Sequence, residues 1–138
     1  MKRILIVSLI LTLSACATQP QTVYQALGGY TKIEEIVDYY IDEIEHDPVV
    51  FEYFKDSDVV RYREKIIEHF CYHTGGPCEY TGDTMERVHD GMDMSETDFN
   101  RGVDLLINSM NRANVPHRIQ NKVLAIFAPM RKEIIYRK

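Results

Sequence analysis

Tryptophan is absent from the 138-residue sequence, and so are the motifs of several common functional classes. There is no glycine-rich phosphate loop, no serine nucleophile elbow and no Cys/His spacing of a zinc site, which speaks against those three kinds of chemistry. The chain also lacks a basic block, and its formal net charge is −5. Because phosphate binding needs clustered lysine and arginine, the chain is a poor candidate for a nucleic-acid partner.

What the sequence does contain is the composition of one ordinary globular domain. Hydrophobic residues make up 45% and charged residues 27%, and nine tyrosines and five phenylalanines carry the aromatic content. The length fits a single domain. No segment alternates in hydrophobicity with period two, so the apolar residues are to be read at helical spacing.

The N-terminal segment is typical of a signal peptide. Lys2 and Arg3 precede an apolar run over residues 4–13 that is too short to span a bilayer. The Leu-Ser-Ala-Cys run that ends at Cys16 resembles the lipobox of bacterial lipoproteins, in which the signal is cut before the cysteine and acyl chains such as palmitate are attached to it. The alternative is an ordinary signal peptide with a cysteine there by chance.

The lipoprotein reading divides the chain into three segments. We expect a signal peptide over residues 1–15, the lipidated cysteine with a polar tether over residues 16–22, and a globular domain over residues 23–138. The anchor would hold the protein in a bacterial cell envelope. Ala17, where retention in the inner membrane usually requires an aspartate, favours the periplasmic side of the outer membrane.

Two further cysteines bracket a turn in the middle of the chain. Cys71 and Cys78 lie on either side of Gly75-Gly76-Pro77, so that the chain can fold back between them. In an oxidising compartment such a pair can form a disulfide. Two free thiols are equally compatible with the sequence, because it does not supply the Cα distance that decides the question.

Hydrophobic periodicity predicts an all-α domain with four main helices. The first has a capping-box pattern from Thr31 to Glu34 and ends at Asp47-Pro48, since the residue before a proline avoids the helical region. Gly28-Gly29 separates it from a short helical turn that begins near Thr22.

The other predicted helices follow after residue 50. The second covers about residues 57–73, and the third begins behind the capping residue Ser95. Between them we expect a loop with a short helical piece around residues 85–89. The last helix has Pro116 in its first turn and should bend at Pro129, because proline removes a hydrogen bond of the helix.

Five histidines are candidates for metal chemistry. His69 and His73 stand four residues apart on a helix, a weak metal-binding signal without an evident third ligand. His46 and His117 lie at predicted helix ends. His89 lies in a glycine-flanked segment between two amphipathic helices, where the residues alone favour a structural histidine over a ligand.

The segment around His89, however, resembles the signature of the group I truncated haemoglobins. The shared features are a Gly-Gly-Pro end of a helix, a Tyr-Thr-Gly loop, a methionine and a histidine followed by glycine: Gly75-Gly76-Pro77, Tyr80-Thr81-Gly82, Met85, Val88-His89 and Gly91. The resemblance covers residues 24 to about 135. It implies a two-over-two helical sandwich around haem b, with His89 as the axial ligand of the iron.

The same resemblance assigns the remaining site residues and reveals one departure. Aligned on Asp47-Pro48, Ile41 stands where the family commonly has a ligand-stabilising tyrosine; Tyr62 is our candidate to replace it, and the neighbouring Tyr40 is its rival. Lys65 falls where the family often places a cation near a haem propionate. The other positions expected to contact or line the haem are Ile66, His69, Phe70, Met85, Phe99, Val103, Leu106 and Ile126.

Three functions follow from this interpretation. The favoured one is binding of O2 or NO at the iron, with NO dioxygenase or peroxidase-like activity and a reductase partner left open. The second is a six-coordinate haem lipoprotein for electron transfer or sensing, in which Tyr62, Lys65 or His69 takes the sixth position. The third is a structural helical lipoprotein without haem.

Overall fold

The computed structural model describes residues 21–138, so the expected signal peptide and Cys16 lie outside the described residues. All regular structure in residues 21–138 is helical: α1 (Val23–Leu27), α2 (Tyr30–His46), α3 (Val59–His73), α4 (Met85–Val88), α5 (Glu96–Arg112), α6 (His117–Phe127) and α7 (Arg131–Ile134), with 3-10 turns at Phe51–Tyr53 and Ala128–Met130. The four long helices α2, α3, α5 and α6 confirm the predicted class. In this part of the chain, no helix is both long and apolar enough to cross a membrane.

The capping box lies at the start of α1, and the prediction that placed it at Thr31 is wrong. Thr22 Oγ1 accepts the Gln25 N–H, and the Gln25 side chain accepts the Thr22 N–H, each over 3.1 Å. Helix α2 instead begins directly behind Gly29 and has no side-chain cap. Because Gly28 and Gly29 adopt φ angles of 110° and 82°, which glycine tolerates without steric cost, the chain turns into α2 before Thr31 can cap it.

The other helix limits agree closely with the sequence pattern. Helix α2 ends at His46 before Asp47-Pro48. Helix α3 begins behind Asp58, whose carboxylate accepts two backbone N–H groups of its first turn. Ser95 caps α5. Pro129 lies in the 3-10 turn that interrupts the last helix between α6 and α7, as expected of a residue that cannot donate a hydrogen bond.

Two apolar clusters hold the helices together. The larger one joins α1, α2, α3, α5 and α6, and its least exposed members are Ile33, Ile36, Val37, Cys71, Met110, Ala113 and Val123. The smaller one consists of Ile44, Val50 and Leu105. Beside it, the buried Asp47 carboxylate accepts the N–H groups of Val49 and Val50 and binds Arg101, which ties the end of α2 to α5.

Candidate functional site

His89 follows α4 directly, and its ring is held in one orientation. Its Nδ1 atom lies 2.7 Å from the carbonyl oxygen of Met85. Because a carbonyl oxygen can only accept, Nδ1 carries the proton in the neutral ring, and Nε2 keeps a lone pair that can bind a metal. Burial lowers the pKa of the half-buried His89 and so favours this neutral form.

The loop that carries His89 is fastened to α3 at two places. Cys71 and Cys78 form a disulfide with Cα atoms 5.8 Å apart. Further along, the Glu68 carboxylate accepts the N–H of Thr81 over 3.0 Å and its hydroxyl over 2.8 Å. Lys65 Nζ donates to both Glu68 and Thr81, at 2.9 and 2.6 Å. These contacts limit the movement of the loop and thereby of the His89 segment.

A group of rings packs around His69, which is 8% exposed. The His69 ring stacks on Phe127 with centroids 5.3 Å apart and contacts His73 at 4.3 Å and Tyr80 at 5.0 Å. Burial, with a smaller contribution from neighbouring histidines, lowers the pKa of His69 to about 4. The residue is therefore neutral at neutral pH. Phe70 is also buried and contacts Phe127 at 4.7 Å.

Two phenols come together at the smaller apolar cluster. The Tyr62 ring contacts Phe54 edge-on, with centroids 4.8 Å apart. The Tyr40 hydroxyl oxygen lies beside Gly102 of α5, where it would be 3.7 Å from a Cβ atom added to that glycine. Burial raises the pKa of Tyr40 to about 12. Burial also raises the pKa of Tyr62 well above its ordinary value, and the nearby Tyr40 raises it further. Within residues 21–138 neither hydroxyl has a hydrogen-bond partner. Both are protonated donors that a ligand could use.

A small cavity of about 130 Å³ opens beside Tyr62, between α2, the first 3-10 turn and the start of α3. Apolar side chains make up most of its wall, namely Ile41, Ile44, Phe51, Phe54 and Val59, and Glu45, Lys55 and Ser57 complete it. Ile41 lines this cavity and supplies no hydroxyl to it.

The other predicted lining residues are apolar side chains that the fold leaves half-buried, namely Ile66, Met85, Phe99, Val103, Leu106 and Ile126. They come from α3, α4, α5 and α6, whereas their helix neighbours Ile67, Met110 and Val123 are almost completely buried. Half-buried apolar side chains on several elements are what a flat apolar group would cover. Together with the oriented, neutral His89 they fit a haem.

The histidine pair of α3 and two phenylalanines that the sequence did not assign remain to be placed. In residues 21–138 no group of three or more His, Cys, Asp or Glu side chains could hold a metal ion, so His69 and His73 gain no third ligand there. Sequence reasoning did not assign Phe54 or Phe127 to the site. Their apolar character signals burial, but their partners depend on how distant helices cross.

Comparisons with known proteins agree with this fold. The sequence matches the family profile described as bacterial-like globin over residues 22–136. It is 28% identical over 116 residues to a group 1 truncated haemoglobin of Mycolicibacterium paratuberculosis, covering 84% of this chain and 85% of that protein. It is 24% identical over 117 residues to a group 1 truncated haemoglobin of Tetrahymena pyriformis, covering 85% and 97%.

Solved structures show the same architecture. The Fe(III) form of a truncated haemoglobin from Tetrahymena pyriformis superposes with a TM-score of 0.81 at 23% identity, covering 84% of this chain and 99% of that one. The 2/2 haemoglobin of a Synechococcus species superposes with a TM-score of 0.78 at 18% identity, covering 83% and 98%. The predicted two-over-two helical sandwich is confirmed.

Proposed function

The chain belongs to the bacterial-like globin family, whose cofactor is haem b, and we propose that it binds O2 or NO at a haem iron held by His89. The observation that carries this proposal is the hydrogen bond from His89 Nδ1 to the Met85 carbonyl, which leaves Nε2 as the metal-binding atom. Haem, when bound, would supply an iron atom that can bind a diatomic gas. His89 contributes a neutral imidazole in a fixed orientation.

Tyr62 is the residue we propose to stabilise the gas, with Tyr40 as the alternative. Both phenols are protonated because burial raises their pKa values, and both hydroxyls lack a partner among the described residues. A hydroxyl donates a hydrogen bond to a polarised ligand, which the Ile41 side chain cannot do. The cavity beside Tyr62 offers apolar space next to this donor.

The contacts of the candidate sixth ligands favour gas binding over a six-coordinate redox site. Lys65 Nζ is engaged by Glu64, Glu68 and Thr81. The His69 ring is enclosed by its aromatic neighbours. Tyr62 is protonated, whereas an iron ligand would need the phenolate. Each of these side chains would have to give up its present contacts or its proton to bind iron.

The absorption spectrum of the purified protein tests the proposal. A high-spin ferric or five-coordinate ferrous spectrum that changes when O2 or NO is added supports gas binding. A six-coordinate spectrum in the absence of added ligand supports the redox alternative instead. The absence of a Soret band would leave only the structural lipoprotein.

Conversion of NO to nitrate would extend the function to catalysis. The reaction NO + O2 + e⁻ → NO3⁻ consumes one electron per turnover, so that it requires a reductase as partner. Oxygenated protein supplied with a chemical reductant should then consume many equivalents of NO per haem in an NO-electrode measurement. Consumption of a single equivalent would limit the protein to stoichiometric reaction or binding.

For location, we propose that acyl chains on Cys16 anchor the globin domain to a membrane of the cell envelope. The support is the sequence from Lys2 to Cys16, with its cations, its short apolar run and its lipobox-like end. Several acyl chains hold a protein to a bilayer far better than one.

A further inference from the structure

Charge is distributed unevenly along the globin domain. Residues 117–138 contain six lysines and arginines and one acidic residue. Residues 21–116 contain eight lysines and arginines and twenty acidic residues. In residues 21–116 most cations pair with carboxylates, as Arg63 does with Asp38 and Arg101 with Asp47. Arg118, on α6, has no carboxylate partner in the described part of the chain. The same is true of Lys122 and Lys132, so the last helical segment carries cations that the fold itself does not neutralise.

These three cations belong to one line of exposed residues, which we call the basic stripe: Arg118, Lys122, Ala125, Pro129 and Lys132. Arg118, Lys122 and Ala125 are three or four positions apart within α6, the spacing that places side chains on one side of a helix, and Pro129 and Lys132 continue that spacing through the 3-10 turn into α7. The other side of α6 carries Ile119 and Val123, which are buried in the main core. The members between the cations, Ala125 and Pro129, are small, so the stripe can approach a flat surface closely.

The proposed lipid anchor ends close to this stripe. Helix α1 contacts α6, and Val23 and Leu27 of α1 belong to the same main core as Ile119 and Val123 of α6. Only residues 17–21 separate the lipidated Cys16 from Thr22, the N-cap of α1. The six Cα-to-Cα steps from Cys16 to Thr22 span at most about 20 Å when fully extended. The membrane surface therefore lies within about 20 Å of the start of α1. Helix α1 contacts α6, and α6 exposes the first part of the basic stripe.

We infer that the basic stripe rests on anionic phospholipid headgroups of the membrane into which the Cys16 acyl chains insert. This inference rests on the lipid anchor proposed above. Opposite charges attract the stripe to an anionic bilayer, and the acidic remainder of the domain is repelled by the same surface. The two effects together fix one orientation of the globin domain on the membrane.

Vesicle binding of the unlipidated protein isolates the contribution of the stripe. The probe is the haem-loaded chain from residue 16 with Cys16→Ser, which contains the family match over residues 22–136 and the fold that covers 99% of a solved truncated haemoglobin. It is mixed with phosphatidylcholine vesicles that contain or lack phosphatidylglycerol. We expect binding to the anionic vesicles alone. One cation near such a surface contributes about fivefold in affinity, so Arg118→Gln/Lys122→Gln should weaken binding about 25-fold.

A matched control removes the same charge elsewhere. Lys55→Gln/Arg61→Gln eliminates two exposed cations, on the α2–α3 connection and at the start of α3, and should change binding by less than about twofold, because neither lies on the stripe. An equal loss in both double variants would show a response to net charge alone and would overturn the inference. Absence of binding by wild type with an intact Soret band would overturn it as well.

Lysine labelling on the lipidated protein gives a second, independent measurement. In anionic vesicles a water-soluble amine-acylating reagent should label Lys122 and Lys132 more slowly than in neutral vesicles, while Lys55, on the α2–α3 connection, serves as reference. Equal labelling in both would contradict the stripe. Failure of the anchor is recognised separately by a mass without acyl chains, and failure of the haem proposal by a missing Soret band.

Discussion

Replacing Tyr62 by phenylalanine removes one hydroxyl from the proposed ligand pocket and leaves the ring that contacts Phe54. The hydroxyl has no partner among the described residues, so its loss breaks no existing hydrogen bond of the fold. A hydrogen bond to a bound, polarised gas contributes about 0.5–1.5 kcal/mol. At about 1.4 kcal/mol per factor of ten, Tyr62→Phe should speed O2 release roughly two- to tenfold and leave haem retention unchanged.

Stopped-flow measurement of O2 dissociation tests this expectation against two controls. Tyr40→Phe removes the rival hydroxyl, and Tyr39→Phe alters the same helix where the ring packs under the Arg112 guanidinium at 4.4 Å. Tyr39→Phe should leave the rate unchanged. Acceleration only in Tyr40→Phe would show that the donor is Tyr40 and that the gap-free alignment of α2 is wrong by one place. Acceleration in neither would mean an apolar pocket and would refute the proposed stabilisation.

The acidity of the two phenols adds a condition to the same experiment. Burial raises the pKa of Tyr40 to about 12 and that of Tyr62 well above the ordinary value. Both therefore stay protonated up to about pH 10.5, where an ordinary tyrosine with a pKa of about 10 is mostly ionised. The ratio of mutant to wild-type dissociation rates should be constant up to that pH. A ratio that falls towards one between about pH 9.5 and pH 10.5 would show that the donor titrates as an ordinary phenol and is not buried in solution.

Three further predictions concern stability and location. Reducing the Cys71–Cys78 disulfide should lower the free energy of unfolding by about 2–3 kcal/mol, because the bridge constrains the unfolded chain; an unchanged urea midpoint with reductant would contradict this. Burial alone would raise the pKa of Asp47, but two backbone N–H groups and Arg101 lower this pKa overall. The carboxylate therefore stabilises the fold above the unfolded-state pKa, and this stabilisation is lost as pH falls through the folded-state pKa. Asp47→Asn should therefore cost roughly 1–3 kcal/mol at neutral pH and flatten the loss of stability below about pH 4, as measured by urea unfolding across pH; a slope equal to wild type would contradict it. Cys16→Ser should abolish partitioning into detergent and the added mass of the acyl chains. The lipoprotein prediction is wrong if the wild type shows neither property.

The sequence predicted the helices well because their apolar residues recur at helical spacing and their ends carry local signals. Ser95 and Asp47-Pro48 act through neighbours only a few residues away, and the structure confirms both. The predicted capping box at Thr31 does not form, because Gly28 and Gly29 adopt left-handed φ angles and start α2 before Thr31. The true box, at Thr22 and Gln25, has a glutamine where the pattern at Thr31 has a glutamate.

Contacts between distant segments could not be predicted in the same way. The Asp47–Arg101 ion pair joins residues 54 positions apart, and the stacking of His69 on Phe127 depends on how α3 and α6 cross. The meeting of Tyr40 and Tyr62 is likewise a product of packing between α2 and α3. The disulfide was undecided for the same reason, since its Cα distance follows from the fold and not from the spacing of the cysteines.

The role of His89 itself came from the resemblance to a family, because periodicity and spacing favoured a structural histidine. What the structure adds is the orientation of the ring, fixed by a carbonyl oxygen four residues earlier in the chain. The assignment of His89 as the iron ligand is a prediction, which spectroscopy of the protein in solution can test.

The absorption spectrum of His89→Ala, recorded with and without added imidazole, tests that central claim most directly. The matched control is His46→Ala, which removes an exposed histidine at the end of α2. Our account predicts that His89→Ala loses most of its Soret absorbance, or regains a histidine-ligated spectrum only when imidazole is added, while the control keeps the wild-type spectrum. Full haem retention with an unchanged spectrum in His89→Ala would contradict the account.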